Sequence, residues 1–224
     1  MLTPQAVCQQ IKAMVGYLVE VGLSSDQNFA FVRTHSRSKT EVTFPGAENV
    51  SVALKDRNYS EIYAHLESTR TYNAKLPDGA LILMRYSYCD NALLQHSLGF
   101  YPSPNLEEFQ NNPEVYLEEA VYADVVARNI VPFPIRFDFD CRPDVAKPVA
   151  HPKSHLTLGQ YENCRIPVTC PLTPGGFITF ILRHFYNTAF AEYCEQVPTF
   201  ADSFDDSIHA DERCIIHVAV PRST

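Results

Sequence analysis

Several features that assign a chain to a specialised class are missing from this sequence. None of its seven cysteines belongs to a Cys-x-x-Cys pair, which argues against a disulfide framework and against a zinc ribbon. No apolar run approaches the roughly 20 residues that span a bilayer. The N-terminal stretch also lacks the basic leader and apolar core of a secretory signal. We therefore expect a cytoplasmic protein without membrane contact.

Positive charge is also scarce. The chain carries 18 Lys and Arg against 26 Asp and Glu, which gives a formal net charge of -8. This balance argues against a broad nucleic-acid-binding face, although it leaves room for a small basic cleft. The basic run "RTHSRSK" at 33–39 is expected to be a solvated hairpin loop.

The composition is that of a globular chain. Of the 224 residues, 46% are hydrophobic and 20% are charged, and there is no internal repeat, low-complexity tract or obvious linker. We therefore expect a single domain, 1–224. Helical spacing of apolar residues follows Thr3-Pro4, recurs over 113–129, and begins again near Pro174, where a long helix is predicted.

Extended segments separate these helices. The stretches "ALILMRYSY" and "ALLQHSLGFY" are predicted to form an apolar hairpin around Asp90 and Asn91, and "CIIHVAV" is predicted as a final strand. Within the hairpin, His96 is expected to be a satisfied core histidine. The sequence therefore predicts an α+β fold, a mainly antiparallel sheet with an N-terminal helix, a middle helix and a long C-terminal helix packed around it.

The segment "IRFDFD", which begins at Ile135, alternates apolar and polar residues. Because successive side chains of a strand face opposite sides, Arg136, Asp138 and Asp140 share one face. The next extended segment, "HLTLG", places His155 and Thr157 on one face in the same way. If the two strands pair with their apolar faces aligned, these polar side chains line one surface.

His151 precedes the second strand closely enough to join this surface, and three interpretations stay open. A histidine acid or base with Arg136 stabilising charge on a phosphate would make a metal-independent nuclease. Asp138, Asp140, His151 and His155 could instead be ligands of a divalent metal. The charges could also neutralise one another and simply fix the register of the hairpin.

Other polar residues are predicted to contact a ligand. Arg85 lies among apolar neighbours and needs an acidic partner, a bound phosphate or a route to water. Asp140 and Thr157 share the polar face described above. The turn "GQYENCRIP" adds Tyr161 and Arg165, which could orient a ligand. We predict these five as substrate-binding residues.

Longer stretches carry a resemblance to a known family. The segments "YADVVARNIVPFPIRFDFD", "HPKSHLTLGQYENCRIPV" and "FITFILRHFYNT" resemble the bacterial family DUF2290, and the likeness spans nearly the whole chain. This resemblance implies no particular activity.

A second similarity is to small bacterial toxins of the TumE type. Their motif runs from an Arg-aromatic-Asp strand into closely spaced histidines, here Arg136, Phe137 and Asp138, then His151 and His155. The loop between the two parts and the overall length differ from a compact toxin. The similarity implies toxin-like chemistry at these positions.

We therefore predict an RNA-cleaving or nucleotide-processing protein of a bacterial toxin or antiviral-defence system. Asp138 or His155 would be the acid/base, Arg136 the phosphate clamp, and His151 a second proton-transfer group. No cofactor is predicted, with a divalent metal as the open alternative.

The expected partners are proteins of a defence or toxin–antitoxin complex, with RNA or a nucleotide as ligand. The alternative function is a non-catalytic subunit or adaptor of a multi-protein defence or restriction complex. In such a scaffold the same charged side chains would be paired with one another and sealed from solvent.

Overall fold

The computed structural model describes residues 2–48, 57–104, 132–161 and 163–221. The predicted middle helix over 113–129 lies outside these residues. Within them the chain forms five α-helices and a short 3-10 turn. The helices are α1 Pro4–Glu20, α2 Tyr59–Ser68, α3 Pro174–Phe185, α4 Asn187–Tyr193 and α5 Ala210–Arg213, and the 3-10 turn is Cys194–Gln196. No helix in this part of the chain is both long and apolar enough to cross a membrane.

The two principal helices begin with the same dipeptide. The hydroxyl of Thr3 accepts a hydrogen bond from the Ala6 N–H at 3.2 Å, and the hydroxyl of Thr173 accepts one from the Gly176 N–H at 3.1 Å. A proline follows each threonine, and it suits the first helical turn because no intrahelical N–H bond is needed there. The predicted starts of both helices are confirmed.

The long C-terminal helix is interrupted at Tyr186. Its backbone leaves the helical region, with φ −134°, so that α3 ends at Phe185 and α4 begins at Asn187. The Tyr186 hydroxyl donates a hydrogen bond of 2.6 Å to the buried carboxylate of Asp78. The break therefore coincides with a distant polar contact in the core.

Nine strands of the described residues form one antiparallel sheet. They are β1 Asp26–Gln27, β2 Phe31–Thr34, β3 Lys39–Thr43, β4 Ala74–Lys75, β5 Leu81–Cys89, β6 Ala92–Tyr101, β7 Ile135–Asp140, β8 Ser154–Leu158 and β9 Ile166–Pro167. The main order is β1-β4-β5-β6-β7-β8-β9. Strand β3 pairs with the C-terminal half of β5, along the same edge on which β4 pairs with its N-terminal end, and β2 pairs with β3. The predicted α+β class is confirmed.

The central hairpin turns where the sequence predicts. Asp90 and Asn91 connect β5 to β6, and both have positive φ, 49° and 65°. A two-residue loop with this geometry matches the right-handed twist of the paired strands.

One face of the sheet carries the main hydrophobic core. Helices α1 and α3 cover this face, and side chains such as Ile11 and Phe177 pack against Leu98 and Phe137. The ring centroids of Phe137 and Phe177 are 6.2 Å apart in an edge-to-face arrangement, which aromatic pairs favour.

The other face is divided into an apolar half and a polar half. Helix α2 covers the apolar half, where Ile62 and Leu66 pack on Leu83 and Tyr101. The ring of Tyr101 lies against Gly99, where an added Cβ would collide with it. Beyond Tyr101 the polar half is left without a covering helix among the described residues.

The predicted final strand is wrong. Residues 214–220 make one isolated bridge, between Val218 and Val168, and the preceding turn is the short helix α5. A capping box starts α5: the His209 side chain accepts from the N–H of Asp211, and the Glu212 carboxylate accepts from the His209 N–H at 2.8 Å.

Candidate functional site

A cleft of about 700 Å³ lies over the polar half of the sheet. Its lining includes all nine side chains that the sequence predicts as site residues. They are Arg85, Arg136, Asp138, Asp140, His151, His155, Thr157, Tyr161 and Arg165. The structure therefore brings the whole predicted set to one place.

Strand register explains this convergence. Strand β7 pairs with β8 so that Asp138 faces His155 and Arg136 faces Thr157, which confirms the predicted pairing of the two polar faces. Directly paired residues of antiparallel strands project from the same side of a sheet. On the other edge of β7, Asp138 pairs with Ser97 of β6, and Ser97 pairs with Arg85 of β5.

His155 is buried in the floor of the cleft with one nitrogen fixed. Its Nδ1 lies 2.9 Å from the carbonyl oxygen of Pro152, which can only accept, so Nδ1 carries the proton. Burial lowers the pKa of His155, and the nearby charge of Asp138 opposes this only in part. A neutral ring with Nδ1 protonated keeps Nε2 as an acceptor, which suits a general base.

His151 lies beside His155, at the end of the 141–153 loop. The two rings have centroids 5.1 Å apart and are inclined by 62°. Burial lowers the pKa of His151, and the charge of Arg165 lowers it further. Two imidazoles that both favour the neutral form therefore share one wall of the cleft.

A buried carboxylate holds the tip of this loop. Val149 has φ 65°, a conformation that a β-branched residue rarely adopts, and its N–H donates to Oε1 of Glu212 at 3.1 Å. Lys147 and His151 exchange backbone hydrogen bonds across the same tip. Glu212, in α5, therefore contributes to the position of His151.

Two arginines approach the cleft without strong acidic partners. Nε of Arg136 lies 3.9 Å from Oδ2 of Asp138, and both side chains expose about a fifth of their surface, 19% and 21%. Arg85 makes no hydrogen bond or ion pair within the parts of the chain that the structure describes, although its charge helps to lower the pKa of Glu41. Guanidinium groups with unengaged N–H donors are suited to bind a phosphate.

The two aspartates differ in how they are engaged. Oδ1 of Asp138 accepts a hydrogen bond of 2.8 Å from the Ser97 hydroxyl. Asp140 accepts from Arg142 through Nε, Nη2 and the backbone N–H, and from Nε2 of Gln95 at 2.7 Å. Burial would raise the pKa of Asp140, but the hydrogen bonds and charge of Arg142 lower it. These contacts indicate that Asp140 anchors the loop that follows β7.

The remaining predicted contacts lie at different depths. Thr157 is buried next to Arg136, whereas Tyr161 is 77% exposed at the rim. Nη1 of Arg165 donates to the side-chain oxygen of Asn163 at 3.2 Å. Thr157 can therefore contact a ligand at the floor, and Tyr161 and Arg165 can contact it near the entrance.

The polar lining residues that sequence reasoning missed include Glu41, Gln95, Ser97 and Arg142. Alternation in β6 was the available signal for two of them, because Gln95, Ser97 and Gly99 occupy every second position. Glu41 is brought to the cleft by pairing with Ser87, a contact between distant segments. Burial would raise the pKa of Glu41, but its hydrogen bond to His35 and neighbouring positive charges lower it.

The expectation of a core position for His96 is confirmed. Its side chain is buried between Tyr86 and Phe139, with ring centroids 5.3 and 5.9 Å away. Neither ring nitrogen makes a hydrogen bond of good geometry among the described residues, and the backbone of Phe137 offsets only part of the effect of burial on the pKa. Burial lowers its pKa to about 3, and the ring stays neutral in the core.

The possible metal ligands do not come together as a cluster. Among the described residues there is no group of three or more His, Cys, Asp or Glu side chains placed to hold a metal ion. Asp138 and Asp140 are instead engaged by Ser97 and Arg142, as described above.

Comparison with known proteins identifies one family. A family model described as "Uncharacterized conserved protein (DUF2290)" matches residues 23–220. No curated protein and no solved structure matches the chain. The family description gives no activity, so the interpretation of the cleft depends on its own geometry.

Proposed function

We propose a function for this chain, which belongs to the DUF2290 family of uncharacterized conserved proteins, from the chemistry of its cleft. The function is cleavage of RNA, or processing of a nucleotide, by acid/base catalysis without a metal. His155 is the general base, Arg136 and Arg85 bind the phosphate, and His151 is the second proton-transfer group. Asp138 orients Arg136, and its negative charge contributes to the electrostatic field at His155.

One observation carries the proposal. The buried and neutral His155, whose Nδ1 donates a hydrogen bond to Pro152, lies in a solvent-connected cleft. Arg136 and Arg85 lie in the same cleft and make few contacts with acidic groups. A scaffold that used these charges only to fix its register would pair them with one another and seal them. Instead, Arg136 and Asp138 remain partly exposed at 3.9 Å.

The groups are suited to transesterification of RNA. His155 Nε2 takes the proton of the ribose 2′-hydroxyl as its oxygen attacks phosphorus. The bond from phosphorus to the 5′-oxygen breaks, and protonated His151 gives its proton to that oxygen. Arg136 and Arg85 stabilise the negative charge that develops on the phosphate oxygens. The products are a 2′,3′-cyclic phosphate and a 5′-hydroxyl.

The test compares wild type with His155→Ala and Arg136→Ala on total RNA and on a panel of nucleotides. We expect wild type to cleave and each variant to lose about 100-fold or more in rate. His184→Ala is the matched control, because His184 is an exposed histidine on α3, which packs on the opposite face of the sheet. Activity that survives His155→Ala would contradict the role of His155 as general base. Activity that EDTA abolishes would contradict the metal-free assignment.

The biological setting is part of the proposal. We place the protein in the cytoplasm, within a bacterial toxin or antiviral-defence system, because of the similarity of its Arg-aromatic-Asp strand and paired histidines to TumE-type toxins. In such a system a protein partner would hold the activity in check.

A second function, as a non-catalytic subunit or adaptor, is favoured by a different observation. Ile215 and Ile216 are 44% and 90% exposed just after α5, and Val149 in the adjoining loop tip is 46% exposed. Neighbouring exposed apolar side chains are a common feature of protein contacts. If wild type cleaves nothing and Ile216→Asp alone abolishes binding of a co-purifying protein, this function replaces the first.

A further inference from the structure

The polar face of the sheet extends beyond the cleft to the β2–β3 hairpin. Glu41 pairs with Ser87, Ser87 with Gln95, and Gln95 with Asp140, and on the outer side Glu41 pairs with Arg33. Because directly paired residues project from the same side of a sheet, these five side chains form one polar row across β2, β3, β5, β6 and β7. With neighbouring strands about 4.8 Å apart, the row is about 19 Å long.

Arg33, at the outer end of the row, is held in place. Its guanidinium carbon lies 5.3 Å from the centroid of the Phe31 ring, two residues earlier on the same face. Such cation–π contact reduces the freedom of the side chain and leaves the N–H donors at its edge available. Arg33 is exposed and makes no ion pair within the described residues.

The hairpin is positively charged although the chain is acidic. The carboxylate of Glu41 is engaged by His35 at 2.8 Å and by Lys39 at 3.6 Å. Arg33 and Arg37 remain as exposed cations on the same hairpin. A basic strip thus adjoins the cleft in a protein with a formal net charge of -8.

We infer that the ligand of the cleft is a single-stranded RNA several nucleotides long, whose backbone continues from Arg85 across β3 to Arg33. This inference rests on the proposed function, since it names the substrate class of the same site. A single nucleotide would fill only the cleft around Asp138, whereas the polar row that leads out to Arg33 fits further phosphates of a strand. Non-specific binding of a single strand depends on such contacts, and it weakens as salt is added.

The chain offers a matched control for Arg33. Arg183 is also exposed and also lies over a phenylalanine, with its guanidinium carbon 5.4 Å from the Phe190 ring. It belongs to α3, on the opposite face of the sheet. Arg33→Ser and Arg183→Ser each remove one charge and one cation–π contact. A difference in RNA binding between the two variants therefore shows an effect of the position of the arginine and not of net charge.

The experiment measures binding of a labelled 2′-O-methyl RNA of about 12 nucleotides by fluorescence anisotropy at several salt concentrations. The methylated strand cannot be cleaved through its 2′-oxygen, so binding is read without turnover. We expect Arg33→Ser to weaken binding roughly fivefold and to reduce the salt slope by about 0.7. Arg33→Ser/Arg37→Ser should weaken it further, and Arg183→Ser should match wild type.

A dinucleotide with a cleavable linkage, assayed with the same proteins, separates the two proposals. Arg33-dependent binding of the long strand without cleavage of either substrate would support the inference and contradict the catalytic proposal. Cleavage of the dinucleotide together with equal long-strand binding by Arg33→Ser and Arg183→Ser would overturn the inference and leave the catalytic proposal standing. Failure of wild type to bind the long strand would also overturn the inference.

Discussion

The imidazoles of His151 and His155 stand 5.1 Å apart, inclined by 62°, on one wall of the cleft. They come from different elements: His155 belongs to β8, and His151 ends the loop that precedes it. Their pKa values are lowered by burial, and the charge of His151 lowers the pKa of His155 further. This proximity governs how activity should depend on pH.

We predict a bell-shaped pH–rate profile with its maximum below about 6.5, the usual pKa of histidine. The base must be neutral and the acid protonated, and both pKa values lie below the ordinary value. The measurement is kcat/KM on a dinucleotide over a series of buffers at constant ionic strength. An optimum well above pH 7 would contradict the assignment of both proton-transfer groups.

Gly99→Ala should disturb the cleft from within the sheet. The new Cβ collides with the ring of Tyr101, which is buried under α2 and cannot swing away. We expect a loss of about 1–3 kcal/mol in the free energy of unfolding, measured in urea, because overpacked sites force neighbours out of their rotamers. Binding of substrate should weaken too, since Gly99 pairs with Arg136.

Gly16→Ala is the control for this substitution. Gly16 lies within α1, and no atom lies within 4 Å of an added Cβ. It should be neutral or stabilise the protein by about 0.5–1 kcal/mol. Equal effects of the two changes would show that the Tyr101 contact does not matter.

Glu212→Gln should move His151 without changing the catalytic groups themselves. The Glu212 carboxylate accepts from Val149 with one oxygen and from His209 with the other, and an amide has a single oxygen acceptor. We expect a loss of about 1–2 kcal/mol in stability and a shifted His151 resonance in a pH titration followed by NMR. The ring of His155 stays hydrogen-bonded to Pro152, so its resonance should move less than that of His151, and a change confined to His155 would refute this reasoning.

The buried His96 should make the protein sensitive to acid. Its pKa is about 3 when folded and about 6.5 when unfolded, so between these values the unfolded chain binds the extra proton. His96 makes its full contribution to the free energy of unfolding above about pH 6.5. That contribution declines toward pH 3, by up to about 1.4 kcal/mol per pH unit. His96→Leu should therefore flatten the dependence of the unfolding free energy on pH. Parallel curves for wild type and variant would argue against the burial effect.

The pairing of β7 with β8 could be predicted from the sequence because it depends on local alternation. Ile135, Phe137 and Phe139 must be buried on one face, which leaves Arg136 and Asp138 on the other. The cleft face of β6 was harder, because the strand looks apolar along most of its length. Such an apolar strand is typical of one covered on both sides, whereas among the described residues α2 covers the half near Tyr101 and leaves the other half open.

Other features depend on contacts that local patterns do not contain. The break occurs at Tyr186, whose hydroxyl donates to Asp78, a residue 108 positions earlier in the chain. Glu41 reaches the cleft through the pairing of β3 with β5. Helical periodicity and strand alternation describe neighbours in sequence, and neither reports such distant partners.

The position of the Tyr101 ring also has an electrostatic consequence. The ring packs with Leu83 and α2 in an apolar cluster, and it is near enough to Arg136 and Asp138 for their charges to act on its pKa. Burial raises the pKa of Tyr101 to about 12, so the ring remains uncharged and forms a wall of low dielectric constant. A charge beside such a wall is screened less than one surrounded by water, and its field extends further toward the open side. The guanidinium of Arg136 should therefore attract an anion more strongly than the same group would on an open surface.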